Sequence, residues 1–204
     1  MNDLLVFAAL FIVSLWLLVK PVTTENQNGN IMQGQLRRLW QDAHQNLVRN
    51  DTSRAERSLL ALLKLDGRNF GAYNRLGIIY ARQGLKKEAI ECFEISSSIN
   101  TTATSLYNLA LVYYQEGEYE KAARAFEHAI EKDPENPSRH IALAKTLEKM
   151  GEPKAAIKEL EKAHKLKPGS ESSAMLANAY RQIGAPDLAE EVENEGKVLK
   201  SLQA

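Results

Sequence analysis

The sequence predicts an all-α protein, organised as an α-solenoid of stacked helix hairpins. One observation is a set of glycines spaced 33, 34 and 33 residues apart: Gly84, Gly117, Gly151 and Gly184. Alanines follow with the same spacing, five residues later: Ala89, Ala122, Ala156 and Ala189. Four of the six prolines fall between helical segments: Pro134, Pro137, Pro153 and Pro168. A period of this size is typical of repeated supersecondary units, each of which buries its apolar face only against its neighbours.

Composition excludes several classes of partner and site. The 204 residues contain 26 Lys plus Arg and 26 Asp plus Glu, so no net field attracts nucleic acid, and no nucleic-acid partner is expected. The single cysteine, Cys92, excludes an internal disulfide framework and a thiolate zinc cluster. Its apolar helical surroundings predict a buried, inert thiol.

The amino-terminal stretch is the most hydrophobic part of the chain. Residues 4–19 carry no charge, and twelve of these sixteen residues are Leu, Ile, Val or Phe. Their insertion near a bilayer centre is worth roughly −4 to −7 kcal/mol in total. We therefore expect a membrane anchor helix over residues 1–20, in contact with lipid through residues 4–19. Two alternatives stay open, a cleaved signal peptide, which would need a basic leader and a small-residue cleavage site, and a buried solenoid helix, which would carry a polar face.

Basic residues near this stretch predict its orientation. Lys20, Arg37 and Arg38 follow it, whereas no Lys or Arg precedes it. Because cytoplasmic flanks are enriched in basic residues, we expect a single-pass membrane protein whose repeats are cytoplasmic.

The next segments are a linker and a diverged helix pair. Residues 21–35 are polar and aperiodic, as in a flexible linker. Residues 36–69 show apolar positions at helical spacing on both sides of a turn at Asn50 and Asp51. Asn50 lies 34 residues before Gly84, so this pair is interpreted as a degenerate copy of the later repeats.

Four further units follow, over residues 70–102, 103–136, 137–169 and 170–204. The first three of these show a common pattern: Tyr73, Leu76, Gly77, Tyr80, Ala89 and Phe93, then Leu106, Leu109, Ala110, Tyr113, Ala122, Phe126, Ala129 and Pro134, then His140, Leu143, Ala144, Leu147, Ala156, Leu160, Ala163 and Pro168. These residues resemble the tetratricopeptide repeat, with its W-x2-L-G-x2-Y, A-x3-F and late proline. The resemblance extends over residues 36–203 and implies a right-handed α-solenoid of about four to five hairpins that binds proteins or peptides.

Small residues and breakers give the pattern a physical basis. Small side chains are expected where paired helices approach closely, at Gly77, Ala110, Ala144 and Ala177. The periodic glycines suit a left-handed backbone at the end of each first helix. Two departures carry expectations of their own. The junction at residues 96–102 lacks the late proline and is expected to be looser, and the last helix, about Pro186–Leu202, is expected to act as a solvent-tolerant cap.

No catalytic or cofactor motif is present. The sequence contains no phosphate-binding glycine loop, no HExxH and no GxSxG. The histidines occupy non-equivalent repeat positions without metal-ligand spacing: His44, His128, His140 and His164. We therefore expect no enzyme activity, no cofactor, no metal and no small-molecule substrate.

The resemblance implies a concave groove lined by the first helix of each hairpin. It places eleven residues there: Trp40, His44, Asn74, Ile78, Tyr107, Leu111, Tyr114, Ile141, Lys145, Asn178 and Arg181. Ile78 and Leu111 occupy positions that are polar in family members that grip a terminal carboxylate, which argues against such a clamp. The apolar centre favours an apolar peptide or an amphipathic helix. The alternative is that these residues are covered by the protein's own helices or linker.

The functional hypothesis at this stage is a membrane-anchored adaptor that binds protein partners through this groove. The alternative is an extracytoplasmic accessory subunit of an envelope, pilus or cytochrome-maturation machine.

Overall fold

The chain alternates helices with short turns throughout residues 29–202, the range that the structure, a computed structural model, describes. Within this range there are ten helices and no strand. Their bounds are α1 29–48, α2 Thr52–Leu65, α3 Phe70–Arg82, α4 Lys86–Ile99, α5 Ala103–Glu116, α6 Tyr119–Lys132, α7 Pro137–Lys149, α8 Pro153–Leu166, α9 Ser170–Gln182 and α10 Pro186–Leu202. They fall into two units, which divide after Arg68.

The first unit contains α1 and α2. Asn50 joins them with a positive φ of 59°, a backbone conformation that asparagine tolerates better than most residues. The carboxylate of Asp51 then accepts a hydrogen bond from the Arg54 backbone N–H at 3.0 Å and caps α2. The buried face of α2 consists of Ala55, Leu59 and Leu62.

The second unit is a stack of four helix hairpins, α3–α4, α5–α6, α7–α8 and α9–α10. Successive hairpins pack through α4 with α5, α6 with α7, and α8 with α9. Its core is rich in alanine and includes the fully buried rings of Phe93 and Phe126. The prediction of an all-α solenoid of repeated hairpins is confirmed.

Each hairpin of the second unit turns on a left-handed glycine, as the sequence predicts. Gly84, Gly117, Gly151 and Gly184 have φ between 77° and 79°. An L side chain is strained in this region, whereas glycine enters it freely. Asn50 has a positive φ at the corresponding place in the first unit, which supports its interpretation as a diverged copy.

The predicted close approach of paired helices is clearest at Gly77. A Cβ atom at this position would lie 2.6 Å from the ring of Phe93 on α4, a distance that carbon atoms do not sustain. The equivalent alanines, Ala110, Ala144 and Ala177, have no exposed surface. The small residues therefore set the spacing of the hairpins.

The junction at residues 96–102 differs from the expectation. Three residues connect α4 to α5, and hydroxyl groups satisfy the backbone there. Thr102 and Ser105 form a capping box, and the Thr101 hydroxyl donates to the Ser97 carbonyl at 2.8 Å. The junction is short and hydrogen-bonded rather than loose, because serine and threonine replace the proline as the signal that ends one helix and starts the next.

Part of the linker expected over residues 21–35 is helical instead. Residues 29–35 already belong to α1, and residues 21–28 lie outside the described range. Ile31 and Met32 continue α1 toward its amino-terminal side without a proline to interrupt it. In residues 29–35, the low hydrophobicity reflects an exposed helix surface rather than a linker.

The single-pass membrane location is a prediction that the structure corrects. Among residues 29–202, no helix is both long and apolar enough to cross a bilayer. Helices α2–α10 contain 13 to 17 residues, and at about 1.5 Å per residue none reaches the ~30 Å of a hydrocarbon core. Residues 4–19, on which the anchor and the cytoplasmic orientation depend, lie outside the described range. The membrane location is therefore withdrawn.

Candidate functional site

A cavity of about 490 Å³ opens between α5, α7 and the first turn of α9. Five of the residues expected on the groove line it together: Tyr107, Leu111, Tyr114, Ile141 and Lys145. They come from two successive first helices, which the repeat brings side by side. Phe126 of α6 and Ala163 of α8 also line the cavity. It therefore lies within the second unit.

The aromatic side of this cavity is held in place by ring contacts. The ring of Tyr107 packs on that of Phe126 with centroids 5.5 Å apart, and Tyr114 meets Tyr119 edge-on at the same distance. Such pairs contribute about 0.5–1.5 kcal/mol beyond their buried area. Tyr107 and Tyr114 remain half-buried, so each keeps a surface that a ligand can contact.

The opposite side of the cavity is more polar. Lys145 of α7, Lys167 of the α8–α9 turn and Glu171 of α9 line it, and all three are exposed. Lys167 and Glu171 were not identified from the sequence. Lys167 precedes a first helix, and Glu171, in the first turn of α9, is not at one of the groove positions taken from the resemblance. The turn that precedes each first helix is the signal that could have identified Lys167.

A smaller cavity, about 210 Å³, lies between α3 and α5. Ile78 and Leu111 line it, and Leu111 therefore contributes to both cavities. Asn74 does not line it, and the side-chain amide of Asn108 donates a hydrogen bond to the Asn74 side-chain oxygen at 3.2 Å. This bond links α3 directly to α5.

Five of the expected groove residues line neither of these cavities, Asn74 and four others. Trp40 and His44 lie on α1, in the first unit, and their role stays a prediction. Asn178 and Arg181 lie beyond the first turn of α9, and Arg181 forms an ion pair with Glu193 of α10 at 2.5 Å. The hydrogen bond from Arg181 lowers the pKa of the Glu193 carboxyl.

A buried histidine, which the sequence did not single out as structural, supports α7 beneath the larger cavity. The Nε2 atom of His140 donates to the Pro134 carbonyl at 3.0 Å, and Nδ1 lies 2.7 Å from the Glu159 carboxylate on α8. Burial would raise the pKa of Glu159, but hydrogen bonds from Lys162 and His140 outweigh it and lower that pKa. His140 therefore fixes the start of α7, where Pro137 and Ile141 line the cavity.

A serine, a histidine and a glutamate also meet at the edge of this cavity. His164 Nδ1 lies 2.9 Å from the Ser172 hydroxyl, and its Nε2 lies 3.2 Å from the Glu195 carboxylate. The Ser172 hydroxyl also lies 2.9 Å from the Gly169 carbonyl, which only accepts hydrogen bonds. The hydroxyl therefore donates to the backbone and accepts from the histidine. These bonds hold Ser172 against the backbone at the start of α9 and do not activate a nucleophile.

No group of three His, Cys, Asp or Glu residues within residues 29–202 has an arrangement that could hold a metal ion. Cys92, the single cysteine, is buried as predicted. Burial, followed by the nearby Glu91 and Glu88 carboxylates, raises the pKa of this thiol to about 11. It is a packing residue of α4.

Comparison with known families agrees with this architecture. Two models of the tetratricopeptide repeat match residues 70–135 and 113–177, and together they span residues 70–177, more than half of the chain. The chain belongs to the tetratricopeptide repeat family. Its members are non-enzymatic scaffolds of protein–protein interaction, and this chain is such a scaffold.

Solved structures show the same fold. A crystal structure of MamA is 24% identical with a TM-score of 0.73, over 79% of this chain and 95% of that one. MamA from Desulfovibrio magneticus RS-1 is 16% identical with a TM-score of 0.74, over 83% and 97%. YrrB, described as a TPR protein with an unusual peptide-binding site, is 19% identical with a TM-score of 0.66, over 78% and 83%.

A sequence relative is the 131 kDa subunit of transcription factor tau from Saccharomyces cerevisiae. It is 28% identical over 82 residues, which is 40% of this chain. The chain spans 8% of the length of that protein. The similarity therefore concerns only a small part of that protein.

Proposed function

We propose that this scaffold binds an apolar peptide, or the apolar face of an amphipathic helix, in the cavity between α5, α7 and α9. The observation that carries the proposal is that five residues expected on the groove line a single cavity of about 490 Å³. Concave, largely apolar sites with a few polar groups are the usual places of ligand binding. The cavity is of the size that takes several apolar side chains.

The aromatic residues suit the role of anchors. Tyr107 and Tyr114 already rest on Phe126 and Tyr119, so binding orders few additional side chains. Low ordering cost leaves more of the contact energy as affinity. Tyrosine is also among the residues that dominate the energetics of protein interfaces.

Two further observations support a ligand of this class. Within residues 29–202, no segment of the chain fills the cavity, which favours an external ligand over self-packing. YrrB, which shares the fold, is described as having a peptide-binding site. Ile78 and Leu111 leave α3 and α5 without the polar groups of a terminal-carboxylate clamp, so the proposed ligand is recognised mainly by apolar contacts.

The test is peptide binding by the full chain. Random twelve-residue peptides displayed at the amino terminus of a carrier protein are selected on the wild type, then synthesised with a fluorescent label and titrated by polarisation. The double variant Tyr107→Ala, Leu111→Ala should weaken binding at least about tenfold, since it removes a central aromatic anchor and an apolar neighbour.

The matched control removes apolar surface elsewhere on the second unit. Ile183 and Leu188 are exposed and lie outside the cavity, so Ile183→Ala, Leu188→Ala should leave affinity unchanged. Circular dichroism establishes that both double variants are folded. Undiminished binding by the folded Tyr107→Ala, Leu111→Ala variant would overturn the proposed function.

A further inference from the structure

We propose that the partner segment carries an acidic side chain next to its apolar residues, and that Lys145 and Lys167 receive this carboxylate. The proposal rests on the proposed function, because it concerns the polar side of the same cavity. It specifies a partner by charge as well as by hydrophobicity.

Lys145 is placed to reach a ligand in the cavity. It lies on α7, one helical turn after Ile141, and both residues line the cavity. Its side chain is exposed, and Glu148, three residues further along the same helix face, does not pair with it in the described structure. An intrahelical partner is thus within reach, yet the Lys145 ammonium group remains without a carboxylate.

Lys167 approaches from another element. It is the residue that ends α8, where its backbone N–H donates to the Ala163 carbonyl at 3.0 Å. Its side chain is exposed at the cavity and makes no ion pair within residues 29–202. Two cationic groups from different elements therefore line one side of an apolar cavity.

The state of pairing decides which basic residues of the second unit can receive a ligand carboxylate without losing an ion pair. Several of these pair with carboxylates of the chain itself: Lys86 with Glu116, Lys121 with Glu118, Arg139 with Asp133, Lys162 with Glu159 and Arg181 with Glu193. The lysines at the cavity lack such partners, and a ligand carboxylate would supply one.

The cavity also carries one negative charge in its described lining, on Glu171. Glu171 lies in the first turn of α9, where the positive end of the helix dipole already favours a carboxylate. Two lysines against one glutamate leave this side of the cavity positive. An acidic ligand group is attracted by both lysines and repelled by Glu171. Substitution of any of these three residues should therefore change the affinity for an acidic ligand.

The carboxylate is assigned to an internal Asp or Glu of the partner rather than to a chain end. Ile78 and Leu111 remove the polar positions on α3 and α5 that would hold a terminal carboxylate. A side-chain carboxylate beside an apolar residue needs only the two lysines that line the cavity.

The peptide selection described above tests this assignment directly, because the displayed peptides have no free carboxyl terminus. Peptides that bind the wild type should be enriched in Asp or Glu beside bulky apolar residues. In titrations of amidated peptides, Lys145→Met and Lys167→Met should each weaken binding about two- to fivefold, as expected for exposed ion pairs. Glu171→Gln should strengthen it, and added salt should reduce the effect of the lysines.

The matched controls are Lys149→Met on α7 and Lys165→Met on α8, two exposed lysines outside the cavity. Neither should change affinity for the same peptides. Replacing the acidic residue of the peptide with its amide should weaken binding as much as the lysine substitutions do. The affinity of this amide peptide should then be the same for the wild type and the lysine variants.

The outcomes separate the two proposals. If selected peptides depend on Tyr107 and Leu111 but show no acidic enrichment and no response to Lys145→Met or Lys167→Met, the acidic partner is overturned and the proposed function stands. If peptides with a free terminal carboxylate bind more tightly than amidated acidic ones, the internal source is wrong. If no peptide depends on Tyr107 and Leu111, both proposals fail.

Discussion

Two neighbouring clefts of the second unit have the same framework and different interiors. The cleft between α3 and α5 holds about 210 Å³, whereas that between α5 and α7 holds about 490 Å³. In the smaller cleft, Asn108 is hydrogen-bonded to Asn74 at 3.2 Å. One repeat later these positions are Tyr107 and Ala142, which cannot form such a bond and which both line the larger cleft.

The second helices supply equivalent phenylalanines, and each lines the cavity of its own cleft. In the hairpin α3–α4, the ring of Phe93 lies directly over Gly77. In α5–α6 the equivalent residues are Phe126 and Ala110, and Phe126 packs on Tyr107 and lines the larger cavity. The repeat therefore fixes the backbone, while a few register positions decide whether a polar link spans a cleft and how large its cavity is.

The largest effect on this comparison is expected from Gly77→Ala. The added Cβ would lie 2.6 Å from the buried ring of Phe93, so α3 and α4 must separate or Phe93 must move. Overpacking of this kind costs about 1–3 kcal/mol in the free energy of unfolding. Chemical denaturation followed by circular dichroism measures the loss.

Gly34→Ala is the control for that substitution. Gly34 also lies within a helix, α1, but a Cβ there would meet no atom within 4 Å. Because alanine is the better helix former by about 0.5–1 kcal/mol, this variant should be as stable as the wild type or more so. Equal stability of the two variants would show that Phe93 does not require a glycine opposite it.

A smaller effect is expected from breaking the polar link of the α3–α5 cleft. Asn74→Ala and Asn108→Ala should each lower the free energy of unfolding by about 0.5–1.5 kcal/mol, and the double variant should cost little more than either. Denaturant titrations of the four proteins give the coupling energy. Asn178→Ala, an exposed asparagine on α9, should change stability by less than about 0.5 kcal/mol. Additive losses in the double variant would rule out a link between Asn74 and Asn108.

The smallest effect concerns hydrogen bonds from a tyrosine on a first helix to a glutamate on the second helix of the preceding hairpin. Tyr113 on α5 donates to Glu94 at 3.1 Å, and Tyr180 on α9 donates to Glu161 at 2.6 Å. Burial, followed by the hydrogen bond to Glu161, raises the pKa of Tyr180 to about 12 from its ordinary value of 10. The folded chain then holds this proton more tightly than the unfolded chain, so stability is retained below pH 10 and falls between about pH 10 and 12.

Tyr180→Phe removes the titrating hydroxyl and should flatten the decline of stability over this pH range. Glu161→Gln, which leaves the ring in place and removes the charge, should flatten it in part. Thermal denaturation at a series of pH values measures the slope. A slope identical to that of the wild type in Tyr180→Phe would exclude Tyr180 as its source.

The hairpins could be predicted from the sequence because their signals are local. Gly84 and its repeats can take the left-handed backbone with little strain, and Gly77 or an alanine is needed where helices meet, so the residue types reveal the turns and contacts. The cavity residues of α5 and α7 followed from the repeat register. The difference in size between the two cavities did not, because the clefts differ in pairs such as Asn74 and Asn108, which lie 34 residues apart.

The remaining site features depend on partners that a single sequence does not pair. His140 looks like an irregular first-helix residue until Glu159 and Pro134 are found against its two ring nitrogens. Arg181 resembles a groove residue by register, but Glu193 of α10 pairs with it. In both cases the partner of the polar side chain lies on a neighbouring helix or turn, and the periodicity of the sequence does not identify that partner.

Leu111 carries a consequence for how such a stack can change. Its side chain lines the cavities on both sides of α5, so a change in its volume alters both of them at once. A substitution at Leu111 that adapts one cavity to a new ligand therefore also changes the shape of the other cavity. The ligand preferences of these two adjacent cavities are therefore expected to change together when Leu111 is substituted.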